Sequence, residues 1–296
     1  MMVTEIEYIN FTRRLSTYFG SAAVQDKCLK LISYMCWFLS RTIKNRNYVQ
    51  DNRLEEICKD LRGIYTHLFM VRYATRLFGT FSCLEAIKSG SWGEWGEAYE
   101  YGDDEARQKD DDVFLSLSSR RKWLGKFMAW CMLLYYPCEH VTYAKWIAPK
   151  LFKRINAEWW SAWSCRFWGL YVVADTLGSI AKVRIGSRRR KQIVNEMHVL
   201  QPLPGWNKKD VQYNGHDVDE RQLWLKCELM QWDKRIYLER LQLIRNALYC
   251  LPLLSWSKSD WERNPMLPEG VINSLCLGES IVCFWQSIFA SFFAKK

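Results

Sequence analysis

The sequence predicts an all-α fold: a helical bundle, integral or peripheral to a membrane, with a long basic amphipathic helix and a C-terminal apolar helix. Three observations point there. Helix-forming residues dominate the 296 positions and Pro occurs only seven times, so little interrupts helical periodicity. Val271 to Phe293 reads VINSLCLGESIVCFWQSIFASFF, with Glu279 its one formal charge. Aromatics make up 15% of the chain, sixteen of them Trp. Trp and Tyr favour the membrane–water interface, where the ring is buried and its N–H or O–H stays wet.

In chain order, residues 1–89 read as an N-terminal amphipathic helical region. Asp26 to Ile43 is a helix with Leu29, Ile32, Cys36 and Leu39 on one face. Asp51 or Asn52 can cap the next, from about Arg53 to Lys88. There Leu54, Ile57, Leu61, Ile64, Leu68 and Val71 repeat at three- and four-residue steps, and the stripe broadens through Phe69, Leu77, Phe78 and Phe81. Lys59, Arg62, Arg72 and Arg76 lie off it. A basic amphipathic helix with bulky aromatics fits a membrane interface, and equally a bundle helix packed on its neighbours.

Residues 90–117 are rich in Gly and acid (GSWGEWGEAYEYGDDEARQKDDD from Gly90 to Asp112) and read as a solvated linker. Residues 118–185 hold apolar helices. Within Ser118–Ile147, the uncharged run Phe127–Cys138 is too short to span a bilayer, so it is a buried or re-entrant segment, and Pro137 should kink or end it. Trp159–Lys182 opens on Trp159, Trp160, Trp163 and Trp168, an interface cluster. The basic run Lys182, Arg184, Arg188, Arg189, Arg190 and Lys191 then reads as a loop facing lipid phosphate on the cytosolic side. Residues 186–220 form a basic and Pro/Gly linker. Residues 221–296 hold the C-terminal helices, separated by Pro265 and Pro268.

The last helix is the membrane segment, residues 271–293. At about 1.5 Å rise per residue it is about 34 Å long, enough to cross roughly 30 Å of hydrocarbon. Its Val, Ile, Leu and Phe residues contribute about −5 kcal/mol to insertion against roughly +3 for Glu279 near the centre, so insertion stays favourable. Ser274 and Gly278 are four apart, a small-xxx-small pair that allows close helix packing.

The net charge of +10 suits an acidic partner. No nucleic-acid-binding motif accompanies the basic run, so anionic membrane lipid, not nucleic acid, is expected. The eleven Cys form no CxxC pair, which argues against a metal site and suits a reducing compartment. The N-terminus lacks the apolar core of a secretory signal and FFAKK is no SKL- or KDEL-type address. There is no GxxxxGK[ST], GxGxxG, HExxH or GxSxG. We expect no catalytic site, no cofactor and no enzyme activity.

Four regions together resemble the peroxisomal membrane protein 11 (peroxin 11) family. Gln25 to Lys30 followed by Ser33-Tyr34 is similar to that family's RDK-x-L-R…QY opening. Leu61 to Ile87, with Arg72 and Arg76 leading into Leu77 and Phe78, is similar to its ARKLFR-like amphipathic helix. Ser164 to Trp168 matches S-x-RFW, and Arg245 to Trp256 with Gly270 and Leu275 to Glu279 resembles its KN-x-x-DLPLALHW…G…GLLG ending. Tyr135 to His140 (YYPCEH) looks like a variant of some branches. Gln25 stands for the family's Arg, Cys250 for an acidic residue, and Thr75 interrupts the ARKLFR core. The resemblance implies a peroxisomal membrane protein with cytosolic termini. It would elongate the membrane before fission, self-associate as a homo-oligomer, and help recruit a dynamin-related fission GTPase and its membrane adaptor. Lys59, Arg62, Arg72 and Arg76 would then hold anionic headgroups while Leu61, Ile64, Leu68, Phe69, Val71 and Phe78 form the wedge.

Two other classes stay open. A peroxisomal channel for small solutes would line its path with Asp175 and Glu279. A soluble helical scaffold would bury the apolar helices against one another.

Overall fold

The structure, a computed structural model, describes residues 18–45, 52–89, 92, 111–199 and 215–293. Among these the regular elements are all helical: α1 (Ala22–Asn45), α2 (Asn52–Thr75), a 3-10 turn (Arg76–Phe78), α3 (Gly79–Ser89), α4 (Asp111–Ile147), α5 (Ala157–Val199), α6 (Gly215–Trp256) and α7 (Glu269–Phe293). The Gly- and acid-rich stretch expected as a linker lies largely outside the described residues.

The helices pack side by side in the order α1, α2, α4, α5, α6, α7, and α7 returns to α1, so the arrangement closes. Cross-contacts run in opposite directions along neighbouring helices, which are therefore antiparallel: Asp26 and Ser40 meet Arg72 and Cys58, Asp175 and Lys182 meet Asn246 and Glu239, Tyr237 and Arg245 meet Trp285 and Glu279, and Lys27 and Trp37 meet Ser287 and Glu269. Asn156 caps α5, its Oδ1 accepting from the Trp159 N–H at 3.1 Å. Pro268 stands just before α7, where its missing N–H costs nothing. An aromatic cluster fills the region between α1, α2, α6 and α7: Tyr34, Ile272 and Cys276 are buried, with Tyr65, Phe69 and Tyr249 packed on them.

Three sequence expectations need correcting. The helix expected over residues 53–88 breaks at Arg76–Phe78. There the backbone tightens into a 3-10 turn, and just after it Gly79 lies so close to Tyr136 of α4 that a Cβ would sit 2.4 Å from the ring. Pro137 does not end α4, which continues to Ile147. Proline removes one N–H donor, and α3 and α5 pack along α4 and hold its backbone in place. The basic run, expected as loop and linker, is the second half of α5. Lys and Arg are good helix formers, and α6 packs along this stretch. Gly186 allows the close approach: a Cβ there would lie 3.0 Å from Ile236 and 3.3 Å from Trp232.

Candidate functional site

Beside its apolar core the bundle buries six charged side chains among the described residues, Lys30, Arg72, Glu139, Glu158, Asp175 and Glu279, and it leaves many large apolar side chains on its outside. Glu279, fully buried on α7, accepts from Lys30 of α1 and, at 2.9 Å, from Nε of Arg245 on α6. Lys30 also donates to the Tyr249 hydroxyl. Arg245 reaches on to Gln286 Oε1 at 2.7 Å and Gln242 Oε1 at 2.8 Å. Gln242 and Asn246 both donate to Asp175 Oδ2 of α5, at 2.7 and 2.8 Å. One polar chain therefore ties four helices together at the depth of the middle of α7.

A second cluster joins α1, α2 and α4. Arg72, 5% exposed, forms a fork with Asp26: Nε to Oδ1 at 2.9 Å and Nη2 to Oδ2 at 3.3 Å. Arg76 in the 3-10 turn bridges Asp26 at 3.2 Å and Glu139 at 3.1 Å. Tyr135 donates to the same Glu139 oxygen. Bidentate and charge-assisted bonds of this kind offset the cost of burying charge.

Outside, apolar side chains line up at helical spacing. On α6, Leu223, Met230, Tyr237, Ile244 and Leu251 are exposed at seven-residue steps. On α2, Ile57, Ile64 and Val71 follow the same step, and the stripe continues onto Phe78 (69% exposed), Phe81 (68%) and Leu84. Leu170, Val173 and Leu177 do the same on α5, and Val271, Ile281 and Trp285 on α7. A water-soluble monomer rarely exposes so much contiguous apolar surface, whereas a bilayer accommodates it. By length and composition, one described helix, over Glu269–Ala290, is apolar enough to cross a membrane.

The residues expected to touch lipid divide. Ile64, Val71 and Phe78 face outward, while Leu61 and Leu68 are half-buried and Phe69 packs edge-on against Tyr34. Lys59 is exposed and pairs with Glu55 one turn back at 2.8 Å. Arg62 binds Glu269 at 2.8 Å, at the start of α7. Arg72 and Arg76 point into the bundle and are committed to carboxylates, so in this arrangement they are not offered to headgroups. Ser274 lies on the exposed face of α7, its hydroxyl donating to the Gly270 carbonyl at 2.7 Å; Gly278 is half-buried beside Leu248.

Sequence reasoning missed Asp26 and Glu139 as partners. Their signal was present: Asp26 is the one acid of α1, and Glu139 is the one acid of α4 beyond its first two residues. Asp175 and Glu279 were singled out as candidate lining of a solute path. Glu279 is instead closed into ion pairs, and Asp175 Oδ2 is held by two amides, which gives a channel no support.

A family model for Peroxisomal biogenesis factor 11 (PEX11) matches residues 113–265. The chain belongs to this family. The match runs from α4 through α6, and so includes Glu139, Asp175, Arg245 and Asn246. The chain is also 22% identical over 167 residues to Peroxisomal membrane protein 11C of Mus musculus, covering 56% of this chain and 58% of that protein. It thus spans a little over half the length of the PEX11 relative it matches. No solved structure matches the chain.

Proposed function

We propose that the chain is an integral protein of the peroxisomal membrane that elongates this membrane and promotes its fission and proliferation. The observation that carries the reading is a pair of features in one bundle: ion-paired charges buried among its helices, and stripes of large apolar side chains on its outside. In water that arrangement wastes apolar burial; in lipid it satisfies both environments. PEX11 membership and the name of the mouse relative supply the organelle.

The outward stripe of α2 and α3 is the proposed wedge. Its bulkiest members, Phe78 and Phe81, sit together at the 3-10 turn and the start of α3. Side chains concentrated at one depth expand one leaflet more than the other and favour curvature. Arg72 and Arg76 are held inside the bundle, and Lys59 and Arg62 each pair with a glutamate, so headgroup attraction falls largely to others. The start of α1 lies beside the end of α7, with Lys27 bonded to Ser287 at 3.2 Å. The basic half of α5 lies toward the same end, since Lys182 pairs with Glu239 on α6 and Tyr237 packs on Phe289. The positive-inside tendency favours that end, with the start of α1 and the end of α7, on the cytosolic side, which supports cytosolic termini. Self-association, and recruitment of a dynamin-related fission GTPase with its adaptor, complete the proposal.

The test is reconstitution of the full chain into anionic liposomes, viewed by electron microscopy. Tubules are expected, with Ile64→Glu/Val71→Glu inserting but leaving vesicles round. Round vesicles with the unaltered chain inserted would overturn the remodelling reading.

A further inference from the structure

The geometry points to a binding groove for a phosphomonoester lipid headgroup between the basic half of α5 and the facing part of α6. This rests on the membrane reading above and goes beyond it. The groove has a volume of about 470 Å³ and is lined by Ser187, Arg190 and Lys191 from α5 and Asp233, Tyr237 and Arg240 from α6, with Ile236 beneath.

The lining carries three cations and one carboxylate. Among the described residues Arg190 pairs with Asp233 through Nε alone, at 2.7 Å, which leaves its two terminal nitrogens to donate. Lys191 and Arg240 are exposed and hold no carboxylate among the described residues. Tyr237 accepts the Trp285 indole N–H at 2.9 Å, so its own hydroxyl proton is left to give. The surplus of two positive charges matches a phosphate monoester of charge about −1.5 to −2 with three acceptor oxygens. A phosphodiester would leave the groove half neutralised.

Depth identifies a lipid as the source. Tyr237 packs on Phe289 at 4.8 Å between ring centroids, and the apolar span of α7 ends at Ala290. The groove therefore opens where hydrocarbon gives way to headgroups. On α5 the outward face changes at the same place, from Leu170, Val173 and Leu177 to Arg184, Arg188 and Lys191.

The test uses the full chain in phosphatidylcholine nanodiscs, titrated with short-chain phosphatidylinositol monophosphate, short-chain phosphatidylinositol and inorganic phosphate. The monophosphate lipid should bind about tenfold or more tightly than either of the others. Arg190→Gln/Arg240→Gln should weaken it roughly 30-fold, the factor expected for two headgroup cations. Asp233→Asn should tighten it several-fold, a gain that misfolding cannot mimic. Arg184→Gln/Arg188→Gln removes equal charge outside the groove and should change binding little. Equal weakening by that outer pair would reveal diffuse electrostatics and overturn the groove. Equally tight inorganic phosphate would overturn the lipid as ligand. A chain that fails to enter nanodiscs refutes the membrane reading; one that enters and binds nothing refutes only the groove.

Discussion

Glu279 is the clearest case of one residue read two ways. In sequence it is a costly acid in the middle of an apolar helix. In the bundle it sits between Lys30 and Arg245, so its charge is compensated from two helices. Removing it leaves the buried Lys30 and the half-buried Arg245 without their shared carboxylate. Glu279→Ala should therefore destabilise the bundle by about 3–5 kcal/mol, read as a fall in the thermal midpoint in detergent micelles. An unchanged midpoint would mean that the pair is not buried as described. That Glu279 mattered was legible in the sequence; its partners were not, because Lys30 lies 249 positions away and Arg245 reads as an ordinary cation of a charged helix.

Glu262 belongs to the same scale, in the α6–α7 connection outside the apolar span. Glu262 is exposed, but partial desolvation where the connection lies against α5 raises its carboxyl above the usual range, and the neighbouring Glu158 raises it further. The folded protein thus holds this proton more tightly than the unfolded chain. The group costs nothing below the ordinary glutamate range and destabilises progressively as pH rises through the folded value. Glu262→Gln should raise the thermal midpoint at about pH 7 and leave it nearly unchanged at about pH 4. The same gain at both pH values would contradict this.

At the scale of the element, α2 and α5 teach opposite lessons. The stripe Ile57, Ile64, Val71 was legible from spacing alone, and its outward direction is what a membrane helix needs. The placement of Arg72 and Arg76 was not legible. Periodicity says that they lie off the apolar stripe, and a buried carboxylate can claim that face as readily as lipid can. The 3-10 turn at Arg76–Phe78 was equally hidden, as was the close approach of Tyr136, from a distant helix, to Gly79 just after it. Gly79→Val should cost about 1–3 kcal/mol through that overlap, checked by denaturation in micelles, while Gly63→Ala, where nothing lies within 4 Å, should be neutral or stabilising. Equal effects would remove the close approach from the account. In α5 the basic run was mistaken for a loop because charge density was read as solvation. The helix persists because Arg189 and Lys182 find Glu228 and Glu239 on α6 and Gly186 lets that helix approach.

At the scale of the whole molecule, the all-α class followed from composition, and the family from weak motifs in the right order. The closed ring of helices did not, since it depends on α7 returning to α1 across the length of the chain. The central claim is that the faces of this ring turned away from its ion pairs lie in hydrocarbon. Spin labels placed one at a time at Val173, Ile244 and Ile281 in the reconstituted full chain test it most directly. We predict strong relaxation by oxygen and weak relaxation by a water-soluble nickel chelate at all three, with the reverse at Lys153 and Asp260. Strong relaxation by the nickel chelate at Val173, Ile244 and Ile281 would put those faces in water and contradict the account.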